Sequence, residues 1–209
     1  MDTKQLIYLL QSVYEDPKTD LKNWKSAEEL MVCVILSAQA TDKGVNKITP
    51  ELFSRYKSPQ DFANADISEL TKIISSINFF QTKAQRIIDA NKYLADNYKS
   101  EMPKNINDLV KIPGIGRKSA NVILQECFGI IEGIVVDTHI TRVSNRLCLT
   151  NHPKDAIKIE KDLMEKIPKK HWHFFSASVV LHGRYVCKAK KPDCGNCVLN
   201  KICPSAFKV

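Results

Sequence analysis

Apolar residues recur with a helical period along almost the whole chain. Leu6, Leu9, Leu10 and Val13 fall at i, i+3, i+4 and i+7, the spacing that gathers side chains on one face of an α-helix, and Ile73, Ile74 and Ile77 continue the habit after Leu70. No convincing run alternates with period two, so the pattern predicts an all-α protein of about ten helices joined by short polar turns. Start signals punctuate it. Ser26-x-x-Glu29 and Asp66-x-x-Glu69 read as capping boxes, and Ser58-Pro59 as an N-cap followed by proline at the first helical position. With no low-complexity linker and no repeat of fixed period, any domain boundary must fall in a short turn.

Composition narrows this picture. The 209 residues are 44% hydrophobic, enough for a sizeable core in one domain or two small ones, and only 7 glycines and 9 prolines exclude a collagen-like or disordered chain. Lys+Arg 31 against Asp+Glu 23 leaves a net charge of +8, which favours a polyanionic partner without separating nucleic acid from an anionic membrane surface. No apolar stretch approaches the roughly 18 residues of a membrane span. The start, Met1-Asp2-Thr3-Lys4, lacks the layout of a secretion signal, so an unsecreted protein with no membrane partner is expected.

Seven cysteines, an odd number, argue against a disulfide framework and for metal ligation beside buried thiols. Cys187, Cys194, Cys197 and Cys203 form C-x6-C-x2-C-x5-C, whereas Cys33, Cys127 and Cys148 lie among apolar neighbours and read as core thiols. Four soft thiolates suit either a tetrahedral zinc or a cubane iron–sulfur cluster. Zinc sites usually join two short C-x2-C hooks, so a single central pair with longer arms leans towards iron–sulfur while leaving both open. Lys188, Lys190 and Lys191, between the first two cysteines, read either as a solvated lysine run or as a loop held rigid for phosphate.

Leu109–Ala120 reads as a helix end, a Pro113-Gly114-Ile115-Gly116 turn and a new helix start, a helix–hairpin–helix. Gly114 and Gly116 can take positive φ and leave the backbone bare, so amides at the second helix's start can approach a DNA phosphate, with Arg117 adding charge. Such contacts position a duplex without reading its sequence, and the same pattern also serves a plain αα-hairpin that turns on glycine. Lys118 falls in the first helical turn, at the positive end of the macrodipole, a placement that favours the free amine of a Schiff-base nucleophile; a further phosphate contact is the other reading. Asp137 ends an apolar run and opens the next helix, as an N-cap or as a carboxylate supporting cationic chemistry at a sugar carbon.

Taken together, Leu36–Asp42, Ile112–Leu124, Val136–His139, Leu181–Tyr185 and the four-cysteine tail resemble the endonuclease III family, DNA glycosylases with abasic-site lyase activity. The resemblance implies an all-α helix–hairpin–helix DNA glycosylase fold. A six-helix barrel of residues 21–133 would carry the hairpin at about 107–126, and a discontinuous helical domain of residues 1–20 and 134–209 would carry the cluster loop at 187–203, with a DNA groove between them. It further implies Lys118 as nucleophile, Asp137 as catalytic carboxylate and Cys187, Cys194, Cys197 and Cys203 as ligands of a [4Fe-4S] cluster. Gln39 matches the residue that fills the gap left by an extruded base, and Phe79 lies where the family inserts an apolar wedge. The family often has Gly-Leu-Tyr or Gly-Phe-Tyr there, against Asn78-Phe79-Phe80 in this chain, and the link from Lys118 to Asp137 is about a residue longer than the family's, with the slack expected in Ile130–Gly133.

The implied activity is removal of oxidised pyrimidines from damaged double-stranded DNA by a monomer, followed by β-elimination, in the cytoplasm at the nucleoid of a prokaryotic host. The nearest alternative, an adenine-specific mismatch glycosylase, usually lacks lysine at position 118. A non-enzymatic helix–hairpin–helix module with structural zinc would be inert on damaged DNA, and a small electron-transfer protein would have no use for the hairpin.

Overall fold

The structure is a computed structural model describing residues 2–209. Among these residues every regular element is a helix, and the chain divides into two compact units, Thr19–Ile130 and Met1–Lys18 with Ile131–Val209.

The unit Thr19–Ile130 contains α2 (Ala27–Ser37), α3 (Asp42–Arg55), α4 (Pro59–Ala63), α5 (Ile67–Ile73), α6 (Phe80–Tyr98), α7 (Ile106–Leu109) and α8 (Arg117–Phe128). Its centre is α2, whose residues Leu30–Leu36 are all buried. A helix apolar on every side is stable only when surrounded, and α3, α6 and α8 pack against it while α4 and α5 pack on α6. Pro50 lies inside α3 and cannot donate to the Asn46 carbonyl. That carbonyl instead accepts from Asn23 Nδ2 at 2.9 Å, so the helix continues past the proline.

The caps differ in part from the sequence reading. Ser26 accepts from the Glu29 amide, but the Glu29 carboxylate accepts from Lys25 N–H instead of the cap's own amide. Asp66 likewise caps Glu69, whose carboxylate is drawn off by Arg55 at 2.6 Å. The reciprocal box forms at Ser58 with Asp61, directly after which Pro59 opens α4.

The second unit contains α1 (Thr3–Gln11), α9 (Thr138–Arg146), α10 (Ala156–Lys166), a 3₁₀ turn at Lys169–His171 and α11 (Trp172–Tyr185), followed by an irregular tail. Phe175 and Val179 of α11 are buried with Leu6, Ile7 and Leu10 of α1 and Ile140 and Val143 of α9. Among the described residues there are thus eleven α-helices, near the expected ten, and none is long and apolar enough to cross a membrane.

The three non-tail cysteines are not equivalent. Cys33 is buried in the first unit, and burial pushes its thiol up to about 12. Half-buried Cys127 is pushed up to about 12 for the same reason. Cys148, expected in the core, is exposed: it follows α9 in a left-handed turn with φ 53°, which points the chain outward in spite of apolar neighbours Leu147 and Leu149.

Candidate functional site

The hairpin is anchored from below by buried Ile112 and Ile115, with Ile115 N–H donating to Ile112 O at 3.0 Å across the turn. Gly114 has φ +84°, a conformation that disfavours any side chain. Gly116, also expected to use positive φ, is extended at φ −92°, ψ 175°, where any residue fits. No heavy atom lies within 4 Å of the space its Cβ would fill, so nothing within the protein demands glycine there. What glycine does provide is bare backbone at the start of α8, with no capping side chain over it. Arg117 and Lys118, both exposed, form the first turn of that helix.

Gln39 and Phe79 are brought together across the loops after α2 and before α6. Both are exposed and left-handed, at φ 53° and 58°, and Asn78 Nδ2 donates to Gln39 O at 3.1 Å. A bulky residue held at positive φ stores about 1–3 kcal/mol of strain, and Phe79 is 63% exposed. Lys83, unremarked in the sequence, supports this pair from inside. Its buried ammonium donates to Leu36 O at 2.8 Å in the last turn of α2, and burial followed by the nearby Arg86 charge lowers its proton affinity.

Asp137 caps α9: its Oδ1 accepts from His139 N–H at 2.8 Å and Ile140 N–H at 2.9 Å. The strand-like approach Ile134–Val136 is buried, and Val135 N–H donates to Ser176 Oγ at 3.1 Å, which fixes where α9 begins. On the far side, α9 packs on α11 at Gly183. Arg142 Nη2 donates to Gly183 O at 2.7 Å and to Cys187 O at 3.1 Å, joining the helix pair to the first tail cysteine.

The four tail cysteines line one cavity with the apolar side chains of Val143, Leu147 and Leu199. Arg146 Nη1 donates to Cys187 Sγ at 3.2 Å and to Lys188 O at 2.7 Å, and its Nη2 to Ala189 O at 3.2 Å. Lys188, Lys190 and Lys191 are exposed on this tethered stretch, Lys191 with φ 52°. Buried His182 stands 3.4 Å from Cys197 Sγ through Nε2, and burial pushes its imidazole down to about 4.

The donor set fits a cluster. Cys187, Cys194, Cys197 and Cys203 all line a single cavity, and soft thiolates of this kind suit zinc or an iron–sulfur cluster. Burial pushes the Cys197 and Cys203 thiols up.

The comparisons agree with this arrangement. Residues 32–169 match the HhH-GPD superfamily of base excision DNA repair proteins, which defines the class. Residues 187–203 match the iron–sulfur binding domain of endonuclease III, which decides between the two metals that spacing left open. The chain is 42% identical over 202 residues to endonuclease III of Synechocystis sp., covering 97% of this chain and 91% of that relative. It is 42% identical over 180 residues to that of Bacillus subtilis, covering 86% and 82%. Among solved structures, a non-covalent endonuclease III–DNA complex superposes with a TM-score of 0.92 at 36% identity, over 98% of this chain and 94% of that one. A trapped endonuclease III–DNA covalent intermediate gives 0.91 at 37%, over 99% and 97%. The chain belongs to the endonuclease III family, and its fold is the all-α helix–hairpin–helix DNA glycosylase fold.

Proposed function

We propose that the protein is a bifunctional base-excision-repair enzyme that removes oxidised pyrimidines from duplex DNA and cuts the resulting abasic site by β-elimination. The observation that carries this reading is the exposed residue Lys118 in the first turn of a helix whose glycine cap leaves its backbone bare. A nucleophile is thereby joined to a surface suited to a DNA phosphate.

A base stacked in a duplex is out of reach, and swinging it out costs a few kcal/mol, less when it is non-planar and poorly stacked, as a saturated pyrimidine such as thymine glycol is. Gln39 occupies the vacated position and Phe79 wedges the stack open, a phenyl ring being well suited to stacking. The Lys118 amine attacks C1′ as the glycosidic bond breaks and the base leaves with the bonding pair and a proton. Opening of the sugar ring gives an imine, which acidifies the C2′ protons. Loss of one of them expels the 3′ phosphate, and hydrolysis of the imine frees the enzyme. Asp137 stabilises the cationic sugar and assists the proton transfers.

Cys187, Cys194, Cys197 and Cys203 hold the [4Fe-4S] cluster, which when bound supplies a cross-link and no bond chemistry. Arg146 ties Cys187 to the backbone that carries Lys188, Lys190 and Lys191, so these charges meet phosphate with less rotamer and loop entropy to lose. Gly114, Gly116 and Arg117 supply further backbone and charge contacts to the duplex. The enzyme acts as a monomer on nucleoid DNA in the cytoplasm.

The test is a duplex carrying one thymine glycol. Base release with a strand cut 3′ to the lesion is expected. Release without a cut contradicts the lyase half, and no release contradicts the substrate class.

A further inference from the structure

His182 is the one buried histidine of α11. Its backbone carbonyl accepts from Cys187 N–H at 2.7 Å, at the mouth of the tail. Its ring reaches Cys197 Sγ at 3.4 Å through Nε2 and the Tyr14 hydroxyl at 3.2 Å through Nδ1. The Tyr14 ring meets the imidazole edge-on, with centroids 6.2 Å apart at 88°.

Proton positions along this chain follow from chemistry. A cysteine that ligates a metal is a thiolate and can only accept. Nε2 must then carry the hydrogen, which leaves Nδ1 of a neutral imidazole as an acceptor and makes the Tyr14 hydroxyl the donor. In this arrangement both ring nitrogens and the Tyr14 hydroxyl hydrogen have a partner.

We propose that Tyr14 and His182 form a fixed hydrogen-bond relay onto the Cys197 sulfur, tuning the cluster's reduction potential and its resistance to oxidation. The proposal rests on the assignment of Cys197 as a cluster ligand. A donor aimed at a ligand sulfur stabilises the more electron-rich state of the cluster, so its removal lowers the potential. Tyr14 and His182 are positioning residues here: they touch no substrate, and their effect reaches the cluster through one sulfur.

The experiment compares the holoprotein with Tyr14→Phe, His182→Leu and His182→Gln by iron and sulfide content, by the midpoint potential of the cluster, and by the rate at which ferricyanide bleaches its visible absorbance. His182→Leu should shift the reduced-to-oxidised equilibrium about tenfold towards oxidation, ~59 mV for a one-electron couple, and bleach faster. Tyr14→Phe, which keeps the imidazole and the fold, should shift it less in the same direction. His182→Gln, whose amide also donates, should recover most of the parent value, which a purely structural role for the ring would not produce. If His182→Leu fails to assemble, Tyr14→Phe alone decides. A parent potential unmoved in Tyr14→Phe, or a His182→Gln that behaves as His182→Leu, overturns the relay while leaving the cysteine assignment intact. A parent protein free of iron and sulfide overturns the cysteine assignment and the relay with it.

Discussion

Gly183→Ala sets two opposing effects against each other at the contact between α9 and α11. Alanine in a helix interior gains roughly 1 kcal/mol over glycine, which taken alone predicts a more stable α11. A Cβ at this position, however, would stand 2.9 Å from His139 Cβ and 3.2 Å from Arg142 Nη2. The first of these is a carbon fixed to the opposing backbone and cannot swing aside. Relief therefore requires the helices to part, and overpacking of this kind costs ~1–3 kcal/mol. Parting also stretches the 2.7 Å bond from Arg142 Nη2 to Gly183 O, a charge-assisted bond worth ~1.5–3 kcal/mol when intact. With about half of that bond retained, the balance is a net loss of ~1–3 kcal/mol, or a fall in Tm of about 2–12 °C for a chain of this size. Thermal unfolding by far-UV circular dichroism measures it, with Gly195→Ala as a control, since a Cβ there meets only Asp193 Oδ1 at 3.9 Å. A Gly183→Ala melting temperature equal to or above the parent's would show that the helices part freely and would refute the packing argument.

Three further outcomes follow from the site. Asp137→Asn keeps an N-cap of equal quality, so its stability should stay within ~0.5 kcal/mol of the parent while incision of an abasic duplex slows about 100-fold or more; an unchanged rate with a lowered Tm would mean that the cap is its whole role. Gly116→Ala meets no atom within 4 Å and should fold normally, yet duplex affinity by fluorescence anisotropy should drop about tenfold as the methyl intrudes on a phosphate; full affinity would remove the glycine's role in binding. In the holoprotein at mildly alkaline pH, a maleimide should modify Cys148 well before Cys33 and Cys127, whose thiols burial holds up at about 12; equal labelling of Cys33 read by peptide mass would contradict the core.

What was legible in the sequence was mostly local. The helical period, the Ser58-Pro59 start, the cap at Asp137 and the first-turn position of Lys118 depend on residues within a few places of one another, and all are present. The misreadings have local causes too. Glu29 and Glu69 stand at the capping-box spacing, but each carboxylate finds a competing donor, Lys25 N–H and Arg55 respectively. Cys148 has apolar neighbours, yet one left-handed residue turns it outward. Beyond local range, periodicity and spacing are silent. Tyr14 and His182 are 168 positions apart, and Lys83 meets Leu36 O across 47, so neither contact leaves a spacing to be read. Lys83 in particular sits where an amphipathic pattern would put an apolar residue, and only the open carbonyl at the end of α2 explains an ammonium there.

The central claim, an imine formed by Lys118, is tested most directly by borohydride trapping of the purified protein on a duplex containing one thymine glycol. The expected result is a covalent protein–DNA band that disappears in Lys118→Gln while that variant still binds the duplex. A band of undiminished intensity in Lys118→Gln would contradict it.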